Sequence, residues 1–168
     1  TLFWMQLFGF VVGLIYFLFN IHSLPVFSTF HLISILSAIA ILQVVAYLAF
    51  YKGLEKGQVS LVSPIGASWS LITAILIIIV YKDPLKINQI LAIFTIICGI
   101  IIISINFKDV LKNKGVKLLT GVKEGIISVI GWGVSLFLLI PVSKELGWFL
   151  PAFLFRMLML VLLSTYLI

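Results

Sequence analysis

The chain consists of long apolar runs separated by short polar segments. Six apolar runs can be marked, at 2–19, 32–51, 59–81, 87–105, 125–142 and 149–168. At a rise of about 1.5 Å per residue, helices of this length match the roughly 30 Å hydrocarbon core of a bilayer. Because backbone amides in hydrocarbon must be hydrogen-bonded within their own segment, and the runs are too uniformly apolar for barrel strands, they predict transmembrane helices.

Composition supports the same class of protein. Hydrophobic residues make up 63% of the chain and charged residues 10%, against roughly half and a quarter in soluble domains. The formal net charge of +6 comes from lysines in short loops, a distribution that favours anionic lipid headgroups over nucleic acid. The sequence therefore predicts an all-α, polytopic membrane protein in contact with the lipid bilayer.

The distribution of lysines gives an orientation. Loops 52–58 and 106–124 lie on one side of the membrane and contain seven lysines, whereas loops 20–31, 82–86 and 143–148 contain three. The positive-inside rule therefore places the first pair of loops in the cytoplasm. The chain opens at Thr1 without a signal-peptide pattern and ends at Ile168 within an apolar run, so we expect it to be a piece of a longer protein.

No enzyme or metal signature is present in the sequence. The acidic residues all lie in or beside loops: Glu55, Asp83, Asp109, Glu124 and Glu145. His22 and His31 flank one loop, which favours interfacial helix ends over a metal pair, and Cys98 is the single cysteine. Motifs such as HExxH, GxSxG and phosphate-binding glycine loops do not occur. We therefore predict neither catalysis, nor a cofactor, nor a bound metal.

Two helices carry small or polar residues along one face. In the 59–81 run, a stripe at i, i+3, i+7 and i+10 consists of Ser63, Gly66, Ser70 and Thr73, with Pro64 near its start. In the 125–142 run, a similar face consists of Ser128, Gly131, Trp132 and Ser135. Such faces either line a polar cavity or let helices approach closely, and the sequence leaves both interpretations open.

Three further features are polar or small residues inside apolar runs. Gln43 and Tyr47 share a face of one helix, and an unbonded mid-span glutamine is costly, so it should face the bundle interior. Gly9 and Gly13 form a GxxxG pair that favours helix packing. Arg156 lies seven residues after the start of its run, where it either snorkels to the headgroups or forms an anion-attracting contact or gate.

The segment from Tyr47 to Ser104 resembles the EamA repeat of the drug/metabolite transporter superfamily. The resemblance rests on Tyr51-Lys52-Gly53-Leu54-Glu55, Val59-Ser60-Leu61-Val62-Ser63-Pro64-Ile65, Asp83, Gln89 and Gly99. Gly121 to Gly147, with Gly131-Trp132-Gly133 and Lys144, is similar to the first helix of a second repeat, and 149–168 to its second helix. Ala92 and Asp83 depart from the glycine and glutamate that are usual in the family.

The resemblance implies a ten-helix transporter of two inverted repeats, of which the six runs are helices two to seven. Residues 1–106 would belong to the first repeat, 107–124 to a basic linker and 125–168 to the second repeat. The family would place the linker outside the cell, opposite to the lysine count, so the orientation stays open. It also implies a multi-pass protein of the plasma membrane.

The leading hypothesis is a secondary transporter that moves small metabolites, such as amino acids, by alternating access through a central cavity. Predicted substrate contacts are Gln43, Tyr47, Ser70, Thr73, Trp132 and Ser135, with Arg156 as a gate or charge contact. Because no acidic residue lies inside a run, neutral, zwitterionic or anionic substrates are favoured over multivalent cations. The alternative is a non-transporting assembly or anchoring subunit that binds partner helices.

Overall fold

A computed structural model describes residues 2–20, 30–82, 86–104 and 119–167. Its helices are α1 (Leu2–Asn20), α2 (Phe30–Lys56), α3 (Val59–Ala67), α4 (Trp69–Tyr81), α5 (Ile87–Ser104), α6 (Val122–Leu146) and α7 (Phe149–Leu167). These ranges contain no strand. The prediction of an all-α membrane fold is therefore confirmed.

Five segments within the described residues are long and apolar enough to cross a membrane. They are Leu2–Phe19, His31–Lys56, Val59–Tyr81, Ile87–Ser104 and Val122–Leu146. The apolar part of α7, Phe149–Thr165, is shorter and only reaches the lower limit of about 17 residues for a transmembrane helix. Helix α2 continues to Lys56, beyond the apolar run that ends at Tyr51, because a cation in the last turn is favoured by the helix dipole.

The apolar run 59–81, predicted as one helix, is divided at Ser68. Pro64 lies inside α3, where its ring removes one backbone donor and crowds the preceding turn. The Ser68 amide donates to the Ile65 carbonyl at 3.0 Å, and the Ser68 hydroxyl donates to the same oxygen at 2.6 Å. A tight turn at Ser68, four residues after the proline, therefore separates α3 from α4.

The chain forms two compact units. The first consists of Thr1–Val45 and Ser135–Ile168, and the second of Ala46–Val134. The buried core of the first unit contains Leu32, Leu36, Ile39, Val142, Leu146 and Leu150. The core of the second contains Leu61, Ile65, Val122 and Val129. Each unit buries residues from segments that are distant in the sequence, which fixes the positions of the polar residues described below.

Some sequence predictions concern residues outside the described part of the chain. His22, Asp83 and Asp109 fall there, as do residues 107–118 of the predicted linker. His31 is described and is exposed at the start of α2.

Candidate functional site

The predicted site residues are divided between the two compact units. Gln43, Ser135 and Arg156 belong to the first unit. Tyr47, Ser70, Thr73 and Trp132 belong to the second. The contacts of each group are therefore described separately.

Gln43 and Ser135 are joined by a buried hydrogen bond in the first unit. The Gln43 amide nitrogen Nε2 donates to the Ser135 hydroxyl Oγ at 3.0 Å. Gln43 is 6% exposed and Ser135 is fully buried. The prediction that Gln43 faces the bundle interior is confirmed, and its amide connects α2 to α6. In a low-dielectric interior this bond is stronger than in water, and leaving either group unbonded would be costly.

An aromatic group surrounds Trp132 in the second unit. The Tyr47 ring meets the Trp132 ring edge-on, with centroids 5.1 Å apart. The Phe50 ring lies 5.2 Å from the same indole at a tilt of 53°. Edge-to-face and tilted arrangements of this kind are favourable. Sequence reasoning missed Phe50, although its spacing of three residues from Tyr47 places both rings on one helix face.

Gly133 lets α4 approach α6 closely in the second unit. The Thr73 hydroxyl donates to the Gly133 carbonyl at 3.0 Å. A Cβ atom added at Gly133 would lie 2.7 Å from Ile72 Cγ2 and 2.9 Å from the Trp69 carbonyl oxygen. Thr73 and the second glycine of Gly131-Trp132-Gly133 therefore hold two helices together, which is the packing interpretation of these two positions.

The residues of the predicted polar stripe in the 59–81 run differ in how deeply they are buried. Gly66 is buried against the Phe50 ring, whose Cδ2 would lie 2.9 Å from an added Cβ. Ser63 is half-buried, whereas Ser70 is exposed. The turn at Ser68 separates the stripe into two parts, so a spacing that assumes one straight helix does not describe it.

A cleft lies between α1 and α7 in the first unit. It has a volume of about 320 Å³ and is lined by Gly9, Gly13, Tyr16, Phe149, Phe153 and Arg156, among others; we call it the α1–α7 cleft. The two helices are antiparallel here, because Gly9 meets Arg156 and Gly13 meets Phe153. The GxxxG pair therefore serves packing as predicted, with one glycine facing a ring and the other a guanidinium.

Arg156 lies at one end of the α1–α7 cleft. A Cβ added at Gly9 would lie 2.8 Å from its Cζ atom. Its Nε is buried and has no hydrogen-bond partner among the described residues, and no carboxylate of those residues pairs with it. A guanidinium stays charged in proteins, so this end of the cleft carries a positive charge that no carboxylate of the described residues neutralises.

Helix α2 also contacts the start of α6 within the second unit. Sequence reasoning did not predict this contact. Lys56 Nζ lies 3.0 Å from Glu124 Oε1. The backbones approach closely beside this pair, since a Cβ at Gly121 would lie 2.8 Å from the Gly53 carbonyl oxygen. Gly121 has φ +92°, a conformation that favours glycine. The spacing of Gly53 and Gly57 is the signal that could have indicated this contact.

The described residues contain no group of three or more His, Cys, Asp or Glu side chains that could hold a metal ion. Gln6 is a further buried polar residue, only 3% exposed on α1, that sequence reasoning did not single out.

Residues 1–105 match the EamA-like transporter family, which is a family of membrane transporters rather than of enzymes. No curated protein and no solved structure matches the chain.

Proposed function

Because the chain belongs to the EamA-like transporter family, we propose that it is a secondary transporter that moves small metabolites, such as amino acids, by alternating access. The family match is the observation that carries this proposal. Membrane transport by a multi-pass helical protein follows from the family and from its apolar helices. The solute class, the mechanism and the plasma membrane as location are the parts proposed.

The proposed architecture is a ten-helix transporter of two inverted repeats. Residues 1–106 belong to the first repeat, 107–124 form a basic linker, and 125–168 begin the second repeat. Inverted repeats suit alternating access, since the two halves can exchange conformations and so open the protein to either side of the membrane in turn.

The proposed substrate contacts are polar or aromatic groups inside apolar helices. In the first unit these are Gln43 and Ser135, whose hydrogen bond can be exchanged for bonds to a solute amine or carboxylate. In the second unit they are Tyr47, Ser70, Thr73 and Trp132, where aromatic rings provide a surface for the apolar part of a solute. The groups are uncharged, which supports a neutral or zwitterionic substrate.

The proposal is tested by reconstituting the intact protein in liposomes and measuring uptake of a broad panel of radiolabelled amino acids. Trp132→Leu should reduce uptake by about tenfold or more, the change that a loss of about 1.4 kcal/mol produces. Trp4→Leu is the matched control, because Trp4 is 61% exposed near the start of α1 and should leave uptake unchanged.

Two results would contradict the proposal. One is a wild-type protein that moves no member of the panel. The other is a Trp132→Leu protein that transports normally but no longer assembles with partner helices, which would favour the non-transporting assembly subunit.

A further inference from the structure

We propose that the α1–α7 cleft binds an amphipathic anion, with its acidic group at Arg156 and its apolar body against the aromatic wall. Binding at this cleft depends neither on transport nor on the proposed amino-acid substrate. The chemistry required is a carboxylate or phosphate attached to an apolar group, which either a small aromatic acid or a lipid provides.

The charge at Arg156 is the first observation. Its Nε is buried and has no partner among the described residues. A buried donor of a charged group that has lost water and gained no acceptor is destabilising. A planar guanidinium matches a carboxylate or phosphate in a bidentate geometry, so an anion would satisfy it.

The wall of the cleft is the second observation. The Phe149 and Phe153 rings are stacked with centroids 5.7 Å apart and an interplanar angle of 16°. Tyr16 lies 4.4 Å from Phe149, and Trp148 lies 5.9 Å from Tyr16. These rings form a continuous apolar surface leading away from the charge.

The position of the charge is the third observation. Arg156 and Phe149 are seven residues apart on α7, which places Arg156 about 10 Å further along the helix at roughly 1.5 Å per residue. Trp148, at the end of the cleft away from Arg156, is 72% exposed, as is typical of a ring at the membrane interface. The aromatic rings therefore lie between Trp148 and Arg156 along α7, so an anion held at Arg156 would place its apolar body against them.

The volume fits a small ligand. About 320 Å³ lies at the lower end of the range of about 300–1,000 Å³ for small-molecule sites. Gly9 is what leaves room for the guanidinium, since an added Cβ there would overlap Arg156. Gly9 and Arg156 together therefore define the polar end of the cleft.

Binding of radiolabelled phenylacetate to the intact protein in phosphatidylcholine nanodiscs tests this directly. Arg156→Gln should weaken binding about tenfold or more, equivalent to about 1.4 kcal/mol. Arg156→Lys keeps the charge but loses the bidentate fork, so its affinity should lie between those of wild type and Arg156→Gln. Lys123→Gln is the matched control, because it removes an exposed positive charge in the other unit and should change nothing. Phenylacetamide, which lacks the charge, should not compete.

Gly9→Ala is a second variant that keeps the arginine but displaces its guanidinium. It should weaken phenylacetate binding by about threefold or more. Gel filtration and thermal unfolding show whether each variant is folded. If Arg156→Gln does not fold, Gly9→Ala still decides the question. Because binding is measured without any gradient, its failure is distinguishable from a failure of transport.

A second experiment shows whether the bound anion is a small aromatic acid or a lipid headgroup. If a lipid headgroup occupies the cleft, brominated phosphatidylglycerol in the nanodiscs should quench the fluorescence of Trp148 more than brominated phosphatidylcholine does. The Trp148→Phe variant shows which part of the tryptophan fluorescence comes from Trp148. Quenching that is lost in Arg156→Gln, without phenylacetate binding, supports the anion site and assigns it to lipid. If neither phenylacetate binding nor quenching depends on Arg156, the proposal is wrong.

Discussion

Polar residues inside the apolar helices form specific hydrogen bonds to neighbouring helices, which makes their energetics testable. Gln43 and Ser135 show this most clearly, since both are buried and their hydrogen bond joins two helices. The bond contributes modestly, whereas loss of one partner leaves a buried amide donor without an acceptor.

Ser135→Ala should therefore lower the free energy of unfolding by about 1–3 kcal/mol. The double variant Gln43→Leu/Ser135→Ala should recover part of this loss, because neither polar group then remains buried without a partner. Thermal or denaturant unfolding in detergent measures both effects. Ser37→Ala is the control, since the Ser37 hydroxyl bonds to the Ile33 carbonyl of its own helix at 2.8 Å and its loss should cost less than about 0.5 kcal/mol. Equal losses for the two serines would contradict this account.

Sequence patterns at the residue scale indicated that Gln43 is buried but did not indicate its partner. Gln43 was expected to face the interior because an unbonded amide in hydrocarbon is costly. Nothing in the spacing indicated Ser135 as its partner, since the two residues are far apart in sequence. Arg156 was likewise noticed as a cation within an apolar run, but its position over Gly9 depends on how α1 and α7 pair.

At the scale of helices, small residues determine where backbones approach. Gly133 lies against α4, whereas Gly99 of α5 has no described neighbour that an added Cβ would meet within 4 Å. The same substitution at these two glycines should therefore have opposite effects.

Gly133→Ala should destabilise the protein by about 1–3 kcal/mol, because the new methyl group would force α4 and α6 apart. Gly99→Ala should be neutral or stabilising by up to about 1 kcal/mol, because alanine loses less backbone entropy in a helix. Unfolding of both variants under identical detergent conditions provides the comparison. A Gly133→Ala protein as stable as Gly99→Ala would show that α4 does not approach α6 at Gly133.

The ion pair between α2 and α6 should contribute little by itself. Lys56 is 47% exposed and Glu124 is 21% exposed, and exposed pairs of this kind are worth about 0–1 kcal/mol. A double-mutant cycle with Lys56→Gln and Glu124→Gln should give a coupling energy in that range that decreases as salt is added. A coupling energy well above this range, or one insensitive to salt, would show that the pair is shielded from solvent.

Helix boundaries also show what a sequence pattern can and cannot predict. Long apolar runs predicted the membrane helices because length and hydropathy are properties of the chain itself. The division at Ser68 was not predicted, although Pro64 indicated a distortion nearby, because the turn is closed by local bonds from Ser68 to the Ile65 carbonyl that a serine in an apolar run does not reveal. Helix pairing was not predictable either, since lipid is as apolar as leucine and gives no periodic signal.

At the scale of the whole molecule, the family and the helices agree on a multi-pass membrane transporter. A chain with uncharged polar groups inside its apolar helices is suited to carrying a solute that also forms hydrogen bonds, and the substrate contacts proposed above are of this kind. Unlike an anchoring subunit or an open pore, a carrier exchanges solute across the membrane one molecule at a time.

Counterflow in proteoliposomes tests this claim most directly. Liposomes containing the intact protein are loaded with an unlabelled amino acid and diluted into a trace of the same labelled compound, with no ion gradient present. A carrier that works by alternating access predicts a transient accumulation of label above its equilibrium level, which protein-free liposomes do not show. A slow rise to equilibrium without overshoot, or no uptake of any amino acid in the panel, would contradict the account.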